Sequence, residues 1–232
     1  MSVDSIGAGK THTDPSAHEV ATDVVLTEIE TGRIETNEDF GNKNVVYAGA
    51  TVGSFYRKLT MLAVNGHVGV AGTGHGRIYT DQAGHVFEID EDKFFLEGMD
   101  LELFVTCNSS DEGIRIAQDV TDVIISKCIV HFPGTISNTD GIYMSPRSGS
   151  GTSKASIDNS IVYGFRRAGV MPQNLSGNGA CIINVDHCSV INNGKEDNST
   201  QYGGLSNVTG GGSEDTTFNV FNTAAIDNKR PS

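Results

Sequence analysis

Ile125-Ser-Lys-Cys128-Ile-Val130 and Val185-Asp-His-Cys188-Ser-Val190 are one pattern written twice. In each, an aliphatic residue is followed three places on by a cysteine and two places later by another aliphatic. Leu96-Glu-Gly-Met99-Asp-Leu101 and Ile157-Asp-Asn-Ser160-Ile-Val162 carry the same pattern with a different soft or small residue at the third place, and Val220-Phe-Asn-Thr223-Ala-Ala225 is a weaker fifth copy. The first positions, 96, 125, 157, 185 and 220, are separated by 29, 32, 28 and 35 residues. A second marker keeps step: Gly113-Ile-Arg-Ile, Gly141-Ile-Tyr-Met, Gly169-Val-Met and a decayed Gly203-Gly-Leu. Two markers repeating near 28 residues define a solenoid.

The content of each repeat selects the kind. Runs such as Val123-Ile-Ile125 and Ala180-Cys-Ile-Ile-Asn-Val185 are short, rich in Val and Ile, and bounded by Gly, Asn, Ser and Asp. No repeat has the long apolar stripe of an amphipathic helix, and leucine-rich repeats need regular Leu and a shorter period. The expectation is an all-β chain, a single-stranded parallel β-helix in which each coil contributes about three short strands. Met99, Cys128, Ser160, Cys188 and Thr223 would then stack in one interior column. The aliphatic columns Leu96-Ile125-Ile157-Val185-Val220 and Leu101-Val130-Val162-Val190-Ala225 would form the core beside it. Length variation falls in loops such as 131–140 and 192–202. About 200 residues at this period give about seven coils, roughly 34 Å of rod at ~4.8 Å per coil.

Residues 33–90 read as earlier coils with irregular turns, while residues 1–30 differ. Asp14 followed by Pro15 is a helix start, an N-cap and then proline at the first helical position. The division expected is an N-terminal arm and capping helix over 1–30 and a β-helix over 31–232.

Composition narrows the partners. The 232 residues carry 16 Lys+Arg against 29 Asp+Glu, a net charge of −13, which repels phosphate backbones and anionic lipid. Nucleic acid and membrane are therefore not expected. The 28 glycines against 5 prolines suit many tight turns. Cys107, Cys128, Cys181 and Cys188 form no C-x-x-C pair, and Cys128 and Cys188 read as small buried hydrophobes. The start of the chain has no basic-then-apolar secretory pattern.

Ile124-Ile-Ser-Lys-Cys-Ile-Val, Ile157-Asp-Asn-Ser-Ile-Val-Tyr and Val185-Asp-His-Cys-Ser-Val-Ile-Asn-Asn resemble the coils of right-handed parallel β-helix proteins, the pectate-lyase-like superfamily that includes phage tailspikes and related virion proteins. The opening Ser5-Ile-Gly-Ala-Gly-Lys, followed by a helix, is similar to the entry of β-helices from phage. The resemblance covers about 86–227, more weakly back to about 30. It implies a right-handed coil and leaves activity open, because the fold hosts lyases, hydrolases and scaffolds. Asn184-Val-Asp186-His187-Cys188 is similar to an Asp-His segment of pectate lyases. Its accompanying tryptophan is absent, and Arg166-Arg167 is followed by Ala-Gly-Val rather than by the lyase base pattern Arg-x-Pro-x-x-Arg.

Candidate chemistry is sparse. Asp158 and Asp186 both follow the first aliphatic position, so they project outward on adjacent coils about one strand spacing apart, ~4.8 Å. That pair could serve as acid and nucleophile in a retaining glycosidase or hold a cation. Glu97 occupies the same column, and Ser126 interrupts it. Gly7-Ala-Gly-Lys10-Thr11 lacks the first glycine of a phosphate loop, Asp4 standing there, and Gly72-Thr-Gly-His-Gly76 reads as turn glycines. His67, His75 and His85 lie in a Gly-rich stretch without ligand-like spacing to a carboxylate. His131 and His187 sit on different columns with no nucleophile motif. Tyr143, Tyr163, Phe165 and Tyr202 are candidates to line a sugar groove or an interface. No cofactor and no metal are expected, and no catalytic residue is assigned beyond Asp158 and Asp186 should the chain be an enzyme.

Carbohydrate-cleaving β-helices of phage resemble a longer plan, with an N-terminal particle-binding domain and a C-terminal trimerisation domain. With Met1 taken as the start of a whole product, so short a rod points away from a polysaccharide groove. The function expected is therefore noncatalytic: a homotrimeric capsid decoration or cement protein on the virion surface, bound to the major capsid protein or another virion protein through the N-terminal arm. The alternative is a tailspike-like protein that binds or degrades a host surface glycan.

Overall fold

In an extended strand, successive side chains point to opposite faces, so Leu96 and Phe94 must share one side and Phe95 the other. A computed structural model describes residues 1–22, 24–35, 39–50, 52–61, 71, 76–81, 83–104, 111–117, 119–134, 138–144, 151–174, 180–194, 203–206, 208–209, 216–226 and 228. Its strands form three sheets paired only in parallel. The first sheet holds β1 (Ser2–Ile6), β2 (Glu30–Ile34), β5 (Arg57–Met61), β8 (Phe94–Glu97), β11 (Val123–Ser126), β14 (Thr152–Asp158), β17 (Ala180–Asp186) and β21 (Thr216–Phe221). The second holds β3 (Asp39–Asn42), β6 (Arg77–Thr80), β9 (Asp100–Leu103), β12 (Ile129–His131), β15 (Ile161–Tyr163), β18 (Ser189–Ile191) and β22 (Ala224–Ile226). The third holds β4 (Val45–Ala48), β7 (Phe87–Asp90), β10 (Glu112–Ile116), β13 (Asp140–Met144), β16 (Ala168–Asn174) and β19 (Gly203–Leu205), with β20 (Val208–Thr209) also pairing with β16. From β2 onward the chain visits first, second and third sheet in turn, then returns to the first. That path is a parallel β-helix.

The expected core columns are in register. Leu96, Ile125, Ile157, Val185 and Val220 are successive partners on the first sheet. Leu101, Val130, Val162, Val190 and Ala225 are successive partners on the second. All are buried except the last of each, Val220 and Ala225, which belong to the final described coil. Each buried Val, Ile or Leu contributes roughly 1.5–3 kcal/mol on leaving water. Lower in the rod the interior is aromatic: Tyr47, Phe87 and Phe94 pack with ring centroids 4.7–5.9 Å apart.

The small third position is a corner device. From β8 onward the first and second sheets are joined by two residues in every coil, and the first of the two is left-handed: Gly98, Lys127, Asn159, His187 and Asn222 have φ of 80°, 52°, 48°, 51° and 43°. The second residue turns inward and bonds the carbonyl two residues back, as Cys128 Sγ to Ser126 (3.3 Å), Ser160 Oγ to Asp158 (2.8 Å), Cys188 Sγ to Asp186 (3.2 Å) and Thr223 Oγ1 to Phe221 (2.7 Å). Ser160 Oγ also accepts the Cys128 N–H of the preceding coil at 3.1 Å. Each of these carbonyls also accepts a corner N–H from the preceding coil, so the small donor adds a second bond where the inside of the corner leaves room for little more than a short side chain.

The glycine marker has a different cause. Gly113, Gly141 and Gly169 stack on the third sheet, and a Cβ on any of them would strike both the next glycine's carbonyl oxygen and a core valine. The fourth member is Gly204, not Gly203: Ala168 pairs with Gly203 and Val170 with Leu205, which sets Gly169 against Gly204.

The N-terminal segment contributes a strand and a helix. Ser2–Ile6 is the edge strand of the first sheet, paired with β2. The helix α1 (Pro15–Thr22) then folds over the end of the coil. Asp14 caps it as expected, accepting the Ala17 N–H at 3.1 Å. Burial works to raise the Asp14 pKa, but Lys43 and the helix N–H groups outweigh it and hold the carboxyl below its usual range. Arg57, fully buried beneath α1, donates to Glu91 at 3.0 Å and to the Thr22 carbonyl. Among the described residues no helix is long and apolar enough to cross a membrane.

Candidate functional site: the outer face of the first sheet

Pairing across the first sheet fixes two outward columns. One runs Val3, Thr31, Lys58, Phe95, Ile124, Ser156, Asn184, Asn219. Its neighbour runs Ser5, Arg33, Thr60, Glu97, Ser126, Asp158, Asp186, Phe221. The face thus changes character along the rod. Its lower part is an apolar cleft of about 490 Å³ lined by Val3, Tyr56, Lys58, Phe95 and Ile124, among others. Its upper part is a grid of short polar side chains.

Cations and one carboxylate organise the junction. Lys58 Nζ lies 4.2 Å above the Phe95 ring and 3.0 Å from Glu97. Glu97 also accepts from Lys127 at 2.8 Å and Thr60 at 3.0 Å. Partial burial pushes its pKa up, but Lys127, Lys58 and Thr60 together overrule that and bring it to about 2. Glu97 is therefore a fixed negative charge.

Asp158 and Asp186 are direct partners on adjacent strands, as their sequence positions require. Each is tied into the coil. Asp158 Oδ2 accepts from Ser126 Oγ at 3.0 Å and Asn159 Nδ2 at 2.9 Å. Asp186 Oδ1 lies 2.9 Å from His187 Nδ1 and accepts from Asn222 at 3.2 Å, its side chain 44% exposed. Beside them Asn184 Nδ2 donates to Ser156 Oγ at 3.3 Å, and Asn219 Nδ2 to Asn184 Oδ1 at 2.9 Å. This is a wet, prearranged grid of acceptors and amides that can exchange hydrogen bonds with hydroxyl groups.

The other candidates scatter. His67, His75, Cys107 and Tyr202 lie outside the described residues. His85 faces Glu112 and Arg115 on the third sheet, whose Arg115 guanidinium is 3.1 Å from His85 Nε2. Tyr143 donates to Gln173 at 2.6 Å on the third sheet, Tyr163 stands on the second, and Phe165 is buried in the core against Phe132. These three do not share a groove, and Phe165 is a core residue because its ring occupies the inside of a corner. Cys128, Cys181 and Cys188 are free and buried, and desolvation pushes their thiols up to about 12, 12 and 11.

Sequence reasoning missed two groups. Phe95 and Ile124 are one, although alternation in Phe94-Phe95-Leu96 and Val123-Ile124-Ile125 already sends the middle residue outward. The second is Asp100, Glu102 and His131 on the second sheet. His131 Nε2 is 2.9 Å from Asp100 and 3.6 Å from Glu102, and its ring stacks on Tyr163 at 5.3 Å. All three are buried. Their signal was register: Glu102 partners His131, and Asp100 partners Ile129, two residues before it on the same face. Outside these surfaces, Asp4, His18 and Glu30 form the group with metal-ligand geometry among the described residues.

The geometry defines a parallel β-helix with a sculpted outer sheet face. No protein-family model matches the chain, and no curated protein matches it. Two crystal structures of the pectin methylesterase of Aspergillus niger, in penultimately deglycosylated and deglycosylated forms, are similar in architecture. Each has 10% sequence identity and a TM-score of 0.38 over 96% of this chain and 85% of that one.

Proposed function

We propose that this protein is a carbohydrate-binding β-helix that lays an uncharged oligosaccharide along the outer face of its first sheet. The observation that carries the reading is the continuity of the apolar cleft at Phe95 and Ile124 with the polar grid Ser126–Asp158–Asp186 and Ser156–Asn184–Asn219. Sugar rings present apolar C–H faces and a rim of hydroxyls. An aromatic platform with convergent carboxylates and amides complements both. A chain of charge −13 favours a neutral glycan over an anionic one.

Binding rather than cleavage follows from the carboxylates, which are engaged by Ser126, Asn159, His187 and Asn222 in ladder contacts between coils. The test is calorimetric titration against a panel of neutral oligosaccharides found by glycan array, with reducing-sugar release followed in parallel. Saturable binding that falls at least tenfold in Phe95→Ala and in Asp158→Asn, without sugar release, supports the reading. Release abolished by Asp158→Asn or Asp186→Asn would make the pair catalytic instead. No binding to any glycan, together with a trimer by mass photometry, would overturn it and return the face to a subunit interface.

A further inference from the structure

The lowest coil encloses a second cluster, remote from the sheet face. Asp4 on β1, Glu30 on β2 and His18 on α1 each offer one ligand atom, and these atoms lie within 4.8 Å of one another. His18 is fully buried. Its Nε2 and the Glu30 Oε1 atom face each other at 3.8 Å, both shielded from water and both without a hydrogen-bond partner.

The proton inventory makes that confrontation informative. The Tyr47 hydroxyl donates to the Pro15 carbonyl at 3.2 Å, so at its 3.0 Å contact with His18 the imidazole Nδ1–H is the donor. A neutral ring protonated on Nδ1 turns the Nε2 lone pair toward the carboxylate. Two lone pairs therefore meet in a dry space, an arrangement that a cation between them would satisfy.

The surroundings have the form of an outer ligand shell. Asp4 Oδ2 is held by His12 Nε2 at 3.1 Å, Glu30 Oε2 by Ser2 Oγ, and His18 by Tyr47. Metal ligands are characteristically oriented by such second partners. Gly32 makes the room: a Cβ there would lie 2.9 Å from His18 Cε1. Two donors at ~2.1 Å from one tetrahedral ion stand about 3.4 Å apart, close to the 3.8 Å between His18 Nε2 and Glu30 Oε1.

We propose that Asp4, His18 and Glu30 form a binding site for a divalent transition-metal ion of the zinc class, which pins the capping helix to the first two strands. One imidazole with two carboxylates is a borderline donor set, suited to Zn²⁺ or Co²⁺ more than to Ca²⁺ or Mg²⁺. The site's role is structural, with His12 the outer partner that orients Asp4.

The test uses the full chain stripped with chelator and titrated with Zn²⁺ and Co²⁺. One ion per chain is expected by elemental analysis, with a Zn²⁺-dependent rise in Tm and a visible Co²⁺ spectrum of four-coordinate intensity. Asp4→Asn and Glu30→Gln should each weaken Zn²⁺ binding at least tenfold while the circular dichroism of the coils is retained. Gly32→Ala, which crowds His18, should lose the Co²⁺ band. Less than a tenth of an ion retained by the native chain, or binding indifferent to both carboxylate variants, overturns the proposal.

Discussion

A methyl group placed on Gly141 would lie 2.3 Å from the carbonyl oxygen of Gly169, its counterpart one coil further on, and 2.4 Å from Val162 Cγ1. The backbone cannot retreat, because each coil is hydrogen-bonded above and below. Gly141→Ala should therefore destabilise by about 2–3 kcal/mol. Gly203→Ala, where nothing lies within 4 Å of the added carbon, should cost little more than measurement error. The denaturant midpoints of the two variants test this.

Asp140 is fully buried and grips Arg167 with both carboxylate oxygens, while its Oδ1 also accepts the Ala168 N–H at 3.0 Å. Burial nevertheless pushes its pKa up to about 6, so the guanidinium only partly offsets desolvation. Arg167→Met leaves that carboxyl buried without its cation and should cost about 3–5 kcal/mol. Adding Asp140→Leu should recover much of the loss, and a double-mutant cycle on urea midpoints measures how much.

Glu97 contributes an acid-sensitive part of stability. Its folded-state pKa of about 2 lies below the ordinary glutamate value of 4.5, so the unfolded chain binds its proton first as pH falls. The contribution is complete above pH 4.5 and is lost as pH falls through about 2. Solvent access limits it to about 1 kcal/mol. Between those limits Glu97→Gln should flatten the rise of Tm with pH, and an unchanged slope would deny Glu97 that role.

The cysteines at positions 128, 181 and 188 should resist modification in the folded chain. Their thiols are buried and held protonated, so the thiolate that reacts is scarce. Alkylation mapped by mass spectrometry should label these three only in denaturant. Labelling of Cys188 at native-state rates would mean that the upper coil opens locally.

Much of the architecture was legible because a solenoid writes its core as columns. Leu96, Ile125, Ile157 and Val185 announce themselves by repetition, and a period fixes which residues are neighbours. The lower coils were harder to read because their interior changes chemistry: Tyr47, Phe87, Phe94 and Arg57 replace the small aliphatics, so no consensus repeats. The edge strand Ser2–Ile6 was hidden for another reason, its partner β2 lying beyond the intervening helix. The candidate face was half visible. Asp158 and Asp186 follow from the repeat, whereas Phe95 was masked by Phe94, two identical residues with opposite fates. His18 could not be read at all, since its neighbours Asp4 and Glu30 come from separate strands and meet only when the helix folds over the coil.

The two-residue corners at Gly98, Lys127, Asn159, His187 and Asn222 make the molecule modular in a countable sense. Every segment from one corner to the next enters and leaves at an equivalent point. Excising residues 127–158 would join Ser126 to Asn159, set β15 on β9 and β16 on β10, and leave every remaining register intact. Between Gly98 and Asn222, whole-coil duplication or loss is thereby open to recombination as growth of the rod by one strand spacing per coil, while the unequal lengths of these coils are taken up at the second-to-third and third-to-first connections. The same seam gives an engineer a place to lengthen the binding face one coil at a time.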